Sequence, residues 1–357
     1  MKRSSTLILL LVPLVSGCIT LDTDVPIRQC PHGDRRPIAA TLPDGCRSEV
    51  EAALASETAF DGFVAMQGDQ VLMRWGDVTT PTNVASVRKS IISLLYGIAQ
   101  ERGLVDVDAT LAELAIDDAA QPLTALERQA TVRDLLQARS GIYLETLGEP
   151  SSWRAVKPER GSFEPGERFY YNNWDFNALG TIFEQTTGLT LELAFEEWLA
   201  EPLGMQTYCP SHVTYEDASF TEHAMYRFYL SADDLALIGA LVLARGDWEG
   251  EQLVPESWID ETTARVSDAS VAREGLYYTH YGYLWWVDEE GRVWADGSGP
   301  QFVVIDPEAD LVTVFRNQTG NSVPGRLWHG LAQDEADDSL VTNSVASRIH
   351  DRLETCR

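Results

Sequence analysis

A serine and a lysine three residues apart carry the clearest chemical signal in this chain. Ser86 and Lys89 belong to the stretch ASVRKSIISLL at residues 85–95, and the chain has only three lysines among its 27 basic residues. Side chains three apart on a helix share one face and can touch. A serine hydroxyl is a weak nucleophile until a base takes its proton, and lysine can serve when burial lowers its pKa from about 10.4. The pair therefore predicts a nucleophilic serine activated by a lysine.

The alternative is that this spacing arose by chance. With three lysines and an ordinary serine content, roughly 0.2 such matches are expected at random. The apolar residues that follow the lysine have helical spacing: Ile91, Leu94, Leu95 and Ile98. A lysine at the head of such a run is unusual, because lysines are rarely buried unless they are paired. The start of a helix also presents N–H groups and a positive dipole end that suit an oxyanion.

A second candidate motif is the string FYYNNW at residues 169–174. Tyr171 and Asn173, two apart at the end of a loop, can project together into a cleft, with the phenol as a proton carrier and the amide as a polar anchor. The alternative is an aromatic core patch beside a turn. Five aromatic residues are candidate walls of a substrate pocket, with core packing an equal alternative for the last two: Tyr143, Tyr170, Trp174, Trp285 and Trp286.

The third candidate motif is the string WADGSGPQF at residues 294–302, between two predicted strands. Small residues at a strand edge let a substrate carbonyl approach the backbone closely. Gly297, Ser298 and Gly299 are therefore candidate oxyanion and substrate contacts. The alternative is an ordinary glycine turn that joins a hairpin.

The elements that must position these motifs change type along the chain. Residues 61–75 alternate apolar and polar side chains about Gly68-Asp69, which predicts a hairpin before the serine. Helices are predicted at residues 49–56, 86–103, 131–138, 177–186, 190–199, 232–243 and 339–353. Four short strands are predicted at residues 281–287, 292–295, 301–305 and 311–316. We therefore expect an α+β fold: one antiparallel sheet built from both chain ends and flanked by helices, with an inserted, mainly helical region.

The N-terminus has the features of an export signal. Lys2 and Arg3 precede an apolar run at residues 7–15 that is too short to span a bilayer. We expect a signal peptide at residues 1–17, a tether at residues 18–47 and a single domain at residues 48–357. Within that domain we expect the sheet region at about 48–85 and 225–357, and the helical region at about 86–224.

The residues that close the apolar run, Val15-Ser16-Gly17-Cys18, resemble the lipobox of bacterial lipoproteins. This resemblance implies lipidation of Cys18, anchoring to a membrane and a location on the periplasmic or extracellular face of a bacterial membrane. The alternative is an ordinary cleaved signal peptide with an incidental cysteine. In both cases the mature protein is exported.

Charge and cysteine content narrow the function classes. The formal net charge of -28 gives no electrostatic footprint for nucleic acid or anionic lipid headgroups. Cys30, Cys46, Cys209 and Cys356 are an even set in an oxidising compartment, which predicts one or two disulfides. We favour Cys30 with Cys46, because they are close in sequence. Cys209 and His212 have a CxxH spacing but no second ligand pair nearby, so we expect no metal and no other cofactor.

In this order, the three motifs resemble those of the penicillin-recognising serine hydrolases. The closest likeness is to the class C β-lactamase-like branch, which includes esterases, D-aminopeptidases and the 6-aminohexanoate-dimer hydrolase. The likeness runs over about residues 63–315. Supporting strings are TVRDLL at 131–136, SG at 140–141, PGE at 165–167, PLGM at 202–205, SADDLA at 231–236 and DP at 306–307.

The resemblance implies a β-lactamase/transpeptidase-like fold and a role for each motif residue. Ser86 is implied to be the acylated nucleophile and Lys89 its activating partner. Tyr171 is implied to carry a proton to the leaving group, and Asn173 to hold the substrate amide or the lysine.

One departure from the family concerns the third motif, where the family often has Lys-Thr-Gly or His-Thr-Gly. Aligning residues 297–299 with it would require an oxyanion N–H from Pro300, which proline lacks. Aligning residues 295–297 leaves the Ser298 N–H as a donor beside that of Ser86, and we prefer this register. Neither register has the cation that would bind the carboxylate of a β-lactam or of a peptide C-terminus. The Gly-x-Gly-x-Gln form instead resembles the esterase and aminohexanoate-oligomer hydrolase members.

These observations predict a serine hydrolase that cleaves a carboxylic ester or small amide through an acyl-enzyme on Ser86. One alternative is a β-lactamase or a D-amino-acid peptidase of the same superfamily. Another is a non-catalytic binding lipoprotein with the same fold. An α/β-hydrolase would need GxSxG, and the string GNSVP at 320–324 fails at its last position.

Overall fold

The computed structural model describes residues 30–34, 36–37, 42–57, 59–271, 276–317 and 339–357. The predicted signal peptide, Cys18 and much of the predicted tether lie outside these residues. In the described ranges, no helix is both long enough and apolar enough to cross a membrane.

The described residues form ten α-helices and thirteen strands. The helices are α1 (Asp44–Ser56), α2 (Val87–Glu101), α3 (Val132–Leu136), α4 (Ser151–Arg154), α5 (Asn173–Thr187), α6 (Leu191–Phe195), α7 (Glu201–Leu203), α8 (Ala232–Leu243), α9 (Glu256–Thr262) and α10 (Ser339–Cys356). The strands are β1 (Gly62–Gln67), β2 (Gln70–Gly76), β3 (Thr82–Asn83), β4 (Val213–Ala218), β5 (Thr221–Leu230), β6 (Asp247–Trp248), β7 (Glu251–Gln252), β8 (Ser267–Asp268), β9 (His280–Tyr281), β10 (Trp286–Val287), β11 (Val293–Gly297), β12 (Gln301–Asp306) and β13 (Leu311–Arg316). A π-helical turn, Glu196–Ala200, joins α6 to α7.

An eight-stranded antiparallel sheet forms the centre, in the order β2-β1-β13-β12-β11-β10-β9-β8. The hairpin β1–β2 forms about Gly68, and β1 pairs with β13 so that Phe63 lies opposite Phe315. This pairing joins strands from the two ends of the chain. It confirms the predicted α+β fold with one antiparallel sheet and flanking helices.

Helices cover both faces of this sheet. Val312 and Thr313 are consecutive in β13 and therefore point to opposite faces. A Cβ added to Gly239 of α8 would meet Val312, whereas Thr313 Oγ1 lies 2.8 Å from His350 Nδ1 of α10. Helix α8 thus packs on one face, and α10 packs on the other with α1 against it. Helix α2 packs against β11 and β12.

The region predicted as mainly helical also contains a hairpin that the sequence analysis missed. Strands β4 and β5 pair with each other, and β5 also pairs with β3 in a three-stranded sheet. The expected region boundary near residue 224 therefore falls inside β5. The alternation of buried and exposed residues is lost toward the end of β5, whose last three residues are all buried. That loss weakens the period-two pattern from which strands are predicted.

The disulfide pairing favoured from the sequence, Cys30 with Cys46, is wrong. Cys30 bonds to Cys209, and Cys46 bonds to Cys356. Nearness in sequence was a poor guide because Cys46 lies in α1, which packs against α10 from the opposite end of the chain. Helix α1 also begins at Asp44, earlier than the predicted helix start at residue 49.

Removing the Cys46–Cys356 bond should destabilise the fold. The bond joins residues 310 apart, and cross-links that close long loops restrict the unfolded chain most. We expect Cys46→Ala/Cys356→Ala to lose about 2–4 kcal/mol of the free energy of unfolding, measured by guanidinium denaturation under oxidising conditions. Cys30→Ala/Cys209→Ala, which removes a bond between residues 179 apart, is the matched comparison. Identical denaturation midpoints for wild type and the first variant would contradict this assignment.

Candidate active site

Ser86 lies in a strained turn where the chain leaves β3 and enters α2. Asn83 Oδ1 accepts a hydrogen bond from the Ala85 N–H at 2.9 Å, and Ala85 has φ +48°. A non-glycine residue in this left-handed region is uncommon, and such strain is concentrated at functional sites. Ser86 itself is half-buried, whereas the helix that follows is buried. The turn therefore leaves the serine partly open to solvent.

Lys89 connects Ser86 to Tyr171. Its Nζ lies 2.7 Å from Ser86 Oγ and 2.7 Å from Tyr171 Oη. The lysine is only 2% exposed, and its Nζ also lies 4.7 Å from the centroid of the Phe176 ring. The structure thus brings together the three residues that the sequence analysis selected as catalytic. We call Ser86, Lys89 and Tyr171 the trio.

Burial determines the protonation of the trio. It lowers the pKa of Lys89 well below its usual value, because a buried ammonium loses its hydration. The positive charge of Arg88 lowers the pKa of Lys89 further, whereas the negative charge of Asp296 opposes the shift. Burial also raises the pKa of the Tyr171 phenol. Both shifts favour neutral groups, so an amine that can accept a proton lies beside a phenol that can donate one.

An aromatic cluster holds Tyr171 in place. Its ring stacks on Trp286 with the centroids 5.2 Å apart, and the tilted ring of Trp153 lies at the same distance. Tyr278 also stacks on Trp286, at 5.0 Å. The sequence analysis named Trp286 as a candidate wall. It missed Trp153 and Tyr278, which lie outside the three motifs.

Tyr170 supports this cluster from behind. Its Oη lies 3.0 Å from both Glu149 Oε1 and the Trp153 carbonyl oxygen. Its ring meets those of Trp153 and Tyr143 edge-on, at 5.9 Å and 5.7 Å. Because Tyr170 is only 2% exposed, its contacts position Trp153, which in turn packs on Tyr171.

Two of the predicted wall residues lie in the core. Trp174 is fully buried and donates its Nε1–H to Asp118 Oδ2 at 3.2 Å, with its ring against His223. Trp285 is fully buried as well. With no surface open to solvent, neither tryptophan lines a cleft. This corrects the expectation for Trp174 and Trp285.

Asn173, the first residue of α5, is tied to a loop. Its side-chain N–H donates to the Gly148 carbonyl, just before α4. The side chain is 2% exposed, and its Oδ1 is buried with no hydrogen-bond partner among the described residues. The hydrogen bonds of Lys89 Nζ go to Ser86 and Tyr171 instead. Asn173 is thus only two residues from Tyr171 along the chain, but its side chain bonds to the loop at Gly148 and not to the trio.

The third motif forms the turn between β11 and β12, where Gly297 pairs with Gln301. Gly299 has φ +76°, a conformation that favours glycine. A Cβ added to Gly297 would lie 2.5 Å from the Val84 carbonyl oxygen and 3.1 Å from the Ser86 nitrogen. Glycine at this position therefore lets the end of β11 approach the backbone of the serine.

A buried arginine ties this turn to the strand that precedes Ser86. The fully buried Arg316 donates hydrogen bonds to Gln301 Oε1, the Thr82 carbonyl and the Leu230 carbonyl. Gln301 in turn donates to the Gly299 carbonyl at 2.6 Å. Burial lowers the pKa of Arg316 to about 10. This value is still high enough for the guanidinium to stay charged near neutral pH. Sequence analysis missed Arg316, although an arginine that extends the apolar run LVTVF signals a buried cation.

Among the described residues, one group of side chains has the chemistry of a metal site. His32, Glu196 and Glu201 each offer a ligand atom, and these atoms lie within 4.8 Å of one another. His32 lies two residues from Cys30, whose disulfide fastens this segment to the domain. The group includes no member of the trio.

Comparisons with known proteins agree with this geometry. The Beta-lactamase family matches residues 57–335. The chain is 25% identical over 325 residues to the 6-aminohexanoate-dimer hydrolase of Paenarthrobacter ureafaciens, in an alignment that covers 82% of this chain and 80% of that protein.

Solved structures share the fold. A proposed 6-aminohexanoate-dimer hydrolase from Bacillus anthracis matches with a TM-score of 0.64 at 19% identity, covering 92% of this chain and 89% of that chain. A β-lactamase from Mycobacterium bovis matches with a TM-score of 0.58 at 18% identity, covering 85% and 99%. These likenesses confirm the β-lactamase/transpeptidase-like fold. With the family match over most of its length, the chain belongs to the β-lactamase family of the penicillin-recognising serine hydrolase superfamily.

Proposed function

We propose that this protein cleaves a carboxylic ester or a small amide through an acyl-enzyme on Ser86. One observation carries the proposal: a single buried amine, Lys89 Nζ, lies 2.7 Å from both Ser86 Oγ and Tyr171 Oη. Membership of a family of hydrolases supports the reaction type.

Acylation follows from the positions of the trio. Lys89 Nζ takes the Ser86 proton as Oγ attacks the substrate carbonyl carbon. The Tyr171 phenol then gives its proton to the departing oxygen or nitrogen and regains one from the Lys89 ammonium beside it. A water molecule then attacks the acyl carbon while Lys89 takes one of its protons, and Ser86 Oγ departs with a proton from Tyr171, which regains one from the Lys89 ammonium. At the end all three groups have their original protons.

The oxyanion is stabilised by backbone N–H groups of Ser86 and Ser298. Support comes from Gly297, which brings the end of β11 against the Ser86 nitrogen. In this register, residues 295–297 occupy the third motif, and Pro300 is not required to donate. Preorganised N–H donors of this kind are often the largest single contribution to catalysis of acyl transfer.

The third motif and one relative support the proposed substrate class. Ala295 stands where β-lactamases and D-amino-acid peptidases often have a cation, so a substrate carboxylate lacks its usual partner there. The name of the curated relative, a 6-aminohexanoate-dimer hydrolase, describes cleavage of a small amide by that protein. Both observations favour a small ester or amide over the β-lactamase and peptidase alternatives. The presence of all three trio residues in contact disfavours a non-catalytic binding lipoprotein.

We also propose that the protein is exported and anchored to a bacterial membrane through a lipid on Cys18. The two disulfides support export, because such bonds persist in oxidising compartments. The lipobox-like residues before Cys18 support the anchor.

Covalent labelling tests both the nucleophile and the substrate class. We expect a fluorophosphonate to add one adduct to the wild type, mapped to Ser86 by peptide mass spectrometry, and a penicillin to add none. The Ser86→Ala variant is the control and should take up neither reagent. An unlabelled wild type would contradict the proposal that the protein is an enzyme. A penicillin adduct on Ser86 would favour the β-lactamase or peptidase alternative.

Replacing the base should abolish acylation while the fold remains. Lys89→Met keeps an unbranched stem and removes the proton acceptor, so labelling by the fluorophosphonate should slow by about 10²–10⁴-fold. Thermal unfolding followed by circular dichroism should show no loss of stability, because the variant no longer buries an ionisable amine. A lysine kept for structural reasons would give the opposite pattern, with labelling intact and a lower melting temperature.

The wild-type labelling rate should also depend on pH through Lys89. The amine must be deprotonated to act, so the rate should rise with pH and level off well below pH 10.4, the ordinary midpoint of lysine. Lys89→Arg should stay inactive across this range because a guanidinium retains its proton. A plateau reached only near the ordinary lysine midpoint would argue against a depressed pKa.

A methyl group at Gly297 should separate β11 from the serine. The added Cβ of Gly297→Ala would lie 2.5 Å from the Val84 carbonyl oxygen, so the strand must move. We expect labelling to slow by about 10²–10³-fold, the usual effect of losing one oxyanion donor. The matched control is Gly45→Ala on α1, where an added Cβ meets nothing within 4 Å and full activity is expected. Equal rates for the two variants would remove Gly297 from the proposed oxyanion site.

A further inference from the structure

Arg88, which immediately precedes Lys89 in α2, is a buried cation without a carboxylate at ion-pair distance in the described part of the chain. It is 4% exposed, and its Nη2 donates to Asn177 Oδ1 at 3.3 Å. The guanidinium carbon lies 4.3 Å from the centroid of the Tyr226 ring. Its Nη1 is buried and has no hydrogen-bond partner among the described residues. The positive charge is thus met by the amide oxygen of Asn177 and by the ring and hydroxyl of Tyr226.

Arg74 and Arg292, which are also poorly exposed, have acidic partners, and the fully buried Arg316 donates to neutral oxygen acceptors instead. Arg292 Nε lies 2.8 Å from Asp288 Oδ2, and Arg74 Nε lies 2.6 Å from Asp233 Oδ1. Burying a charge without such a partner is costly, and an apolar side chain of similar size is often as stable or more so. Packing alone therefore does not account for an arginine at position 88.

Arg88 and Lys89 are neighbours in α2, and their side chains contact consecutive residues of α5, since Arg88 Nη2 bonds to Asn177 and Lys89 Nζ lies 4.7 Å from the Phe176 ring. We propose that Arg88 is a positioning residue for the proton on Lys89: its permanent positive charge, buried on the neighbouring residue, keeps Lys89 neutral and able to accept the Ser86 proton. The inference rests on the proposed function, in which Lys89 is the base. A second positive charge nearby disfavours protonation of an amine. Burial is the largest cause of the lowered pKa of Lys89, and the positive charge of Arg88 is the second.

Among the charged groups that act on Lys89, Arg88 is the one that lowers its pKa. Asp296 of β11 acts in the opposite direction and favours the ammonium. The phenols that face Arg88 or Lys89 have pKa values raised by burial and stay neutral: Tyr171, Tyr226 and Tyr281. Arg227, which also faces Arg88 from β5, is paired with Glu216 at 2.7 Å.

The residue type at position 88 fits this task. Burial lowers the pKa of Arg88, but a guanidinium starts from a value so high that it keeps its proton inside a protein. Its flat, weakly hydrated charge is also suited to an aromatic face such as that of Tyr226. A buried lysine at position 88 would lose its proton and would no longer lower the pKa of Lys89.

Selective ¹³C labelling of lysine tests the inference directly by NMR. The chain has three lysines, Lys2, Lys89 and Lys157, so the Cε signals are few and assignable by substitution. We expect Arg88→Met to raise the titration midpoint of Lys89 by about one pH unit, the order of a charge–charge interaction within a protein. Lys157, paired with Glu149 at 2.8 Å, gives the internal reference signal.

Labelling kinetics give the second readout. In Arg88→Met the rise of the fluorophosphonate rate with pH should move upward by the same interval as the Lys89 midpoint. The rate on that rise should fall about tenfold and recover at high pH, because one pH unit is a factor of ten in protonation. The matched control is Asn177→Ala, which removes the hydrogen bond of Arg88 but leaves its charge. Neither the midpoint nor the pH profile should shift in this control.

Arg88→Gln is the second neutral variant, in case the methionine variant does not fold. An unchanged Lys89 midpoint in the folded neutral variants overturns the inference, as does a rate reduced equally at every pH. A shift as large in Asn177→Ala as in Arg88→Met also overturns it, because packing rather than charge would then be responsible. Failure of the proposed function is distinguishable, since the wild type would then show no adduct on Ser86 whatever the Lys89 midpoint.

Discussion

The buried amine of Lys89 is the group on which the rest of the site depends. An ammonium in the interior must find a counter-charge or lose its proton. Here the two hydrogen-bond neighbours of Nζ are the hydroxyls of Ser86 and Tyr171, and no carboxylate of the described residues lies at ion-pair distance. Burial therefore lowers the pKa of the amine well below its usual value, so the same burial that is unfavourable for stability favours a proton acceptor. A solvent-exposed lysine at the same spacing from Ser86 would stay protonated at neutral pH.

A base of this kind is useful only if both hydroxyls stay within hydrogen-bond distance, and different parts of the fold provide this. Ser86 is the N-cap of α2 and Lys89 lies in its first turn, which brings the two side chains together. Tyr171 arrives from a separate segment, and Trp286 of β10 holds its ring. The turn at Gly297 is tied to β3 through Arg316, the last residue of β13. The antiparallel sheet made from both chain ends is therefore what assembles the site.

The sequence predicted the parts of this arrangement that are local. Ser86 and Lys89 lie at the start of one helix, and β12 and β13 are short apolar runs joined by a turn. The contacts of Trp153 and Arg316 could not be predicted, because each joins segments that are distant along the chain. The pairing of Cys46 failed for the same reason. Arg88 had a readable signal: it stands three residues before Ile91, on the face of the helix that the apolar spacing marks as buried.

The order of the two basic residues in α2 follows from their different basicity. Both side chains are buried, yet the proposed chemistry requires one to keep its proton and the other to release it. Arginine at position 89 would hold its proton and could not accept that of Ser86. Lysine at position 88 would discharge and would no longer disfavour the neighbouring ammonium. Only the order Arg-Lys meets both requirements. This gives a physical reason for a chain with 24 arginines to retain a lysine at position 89.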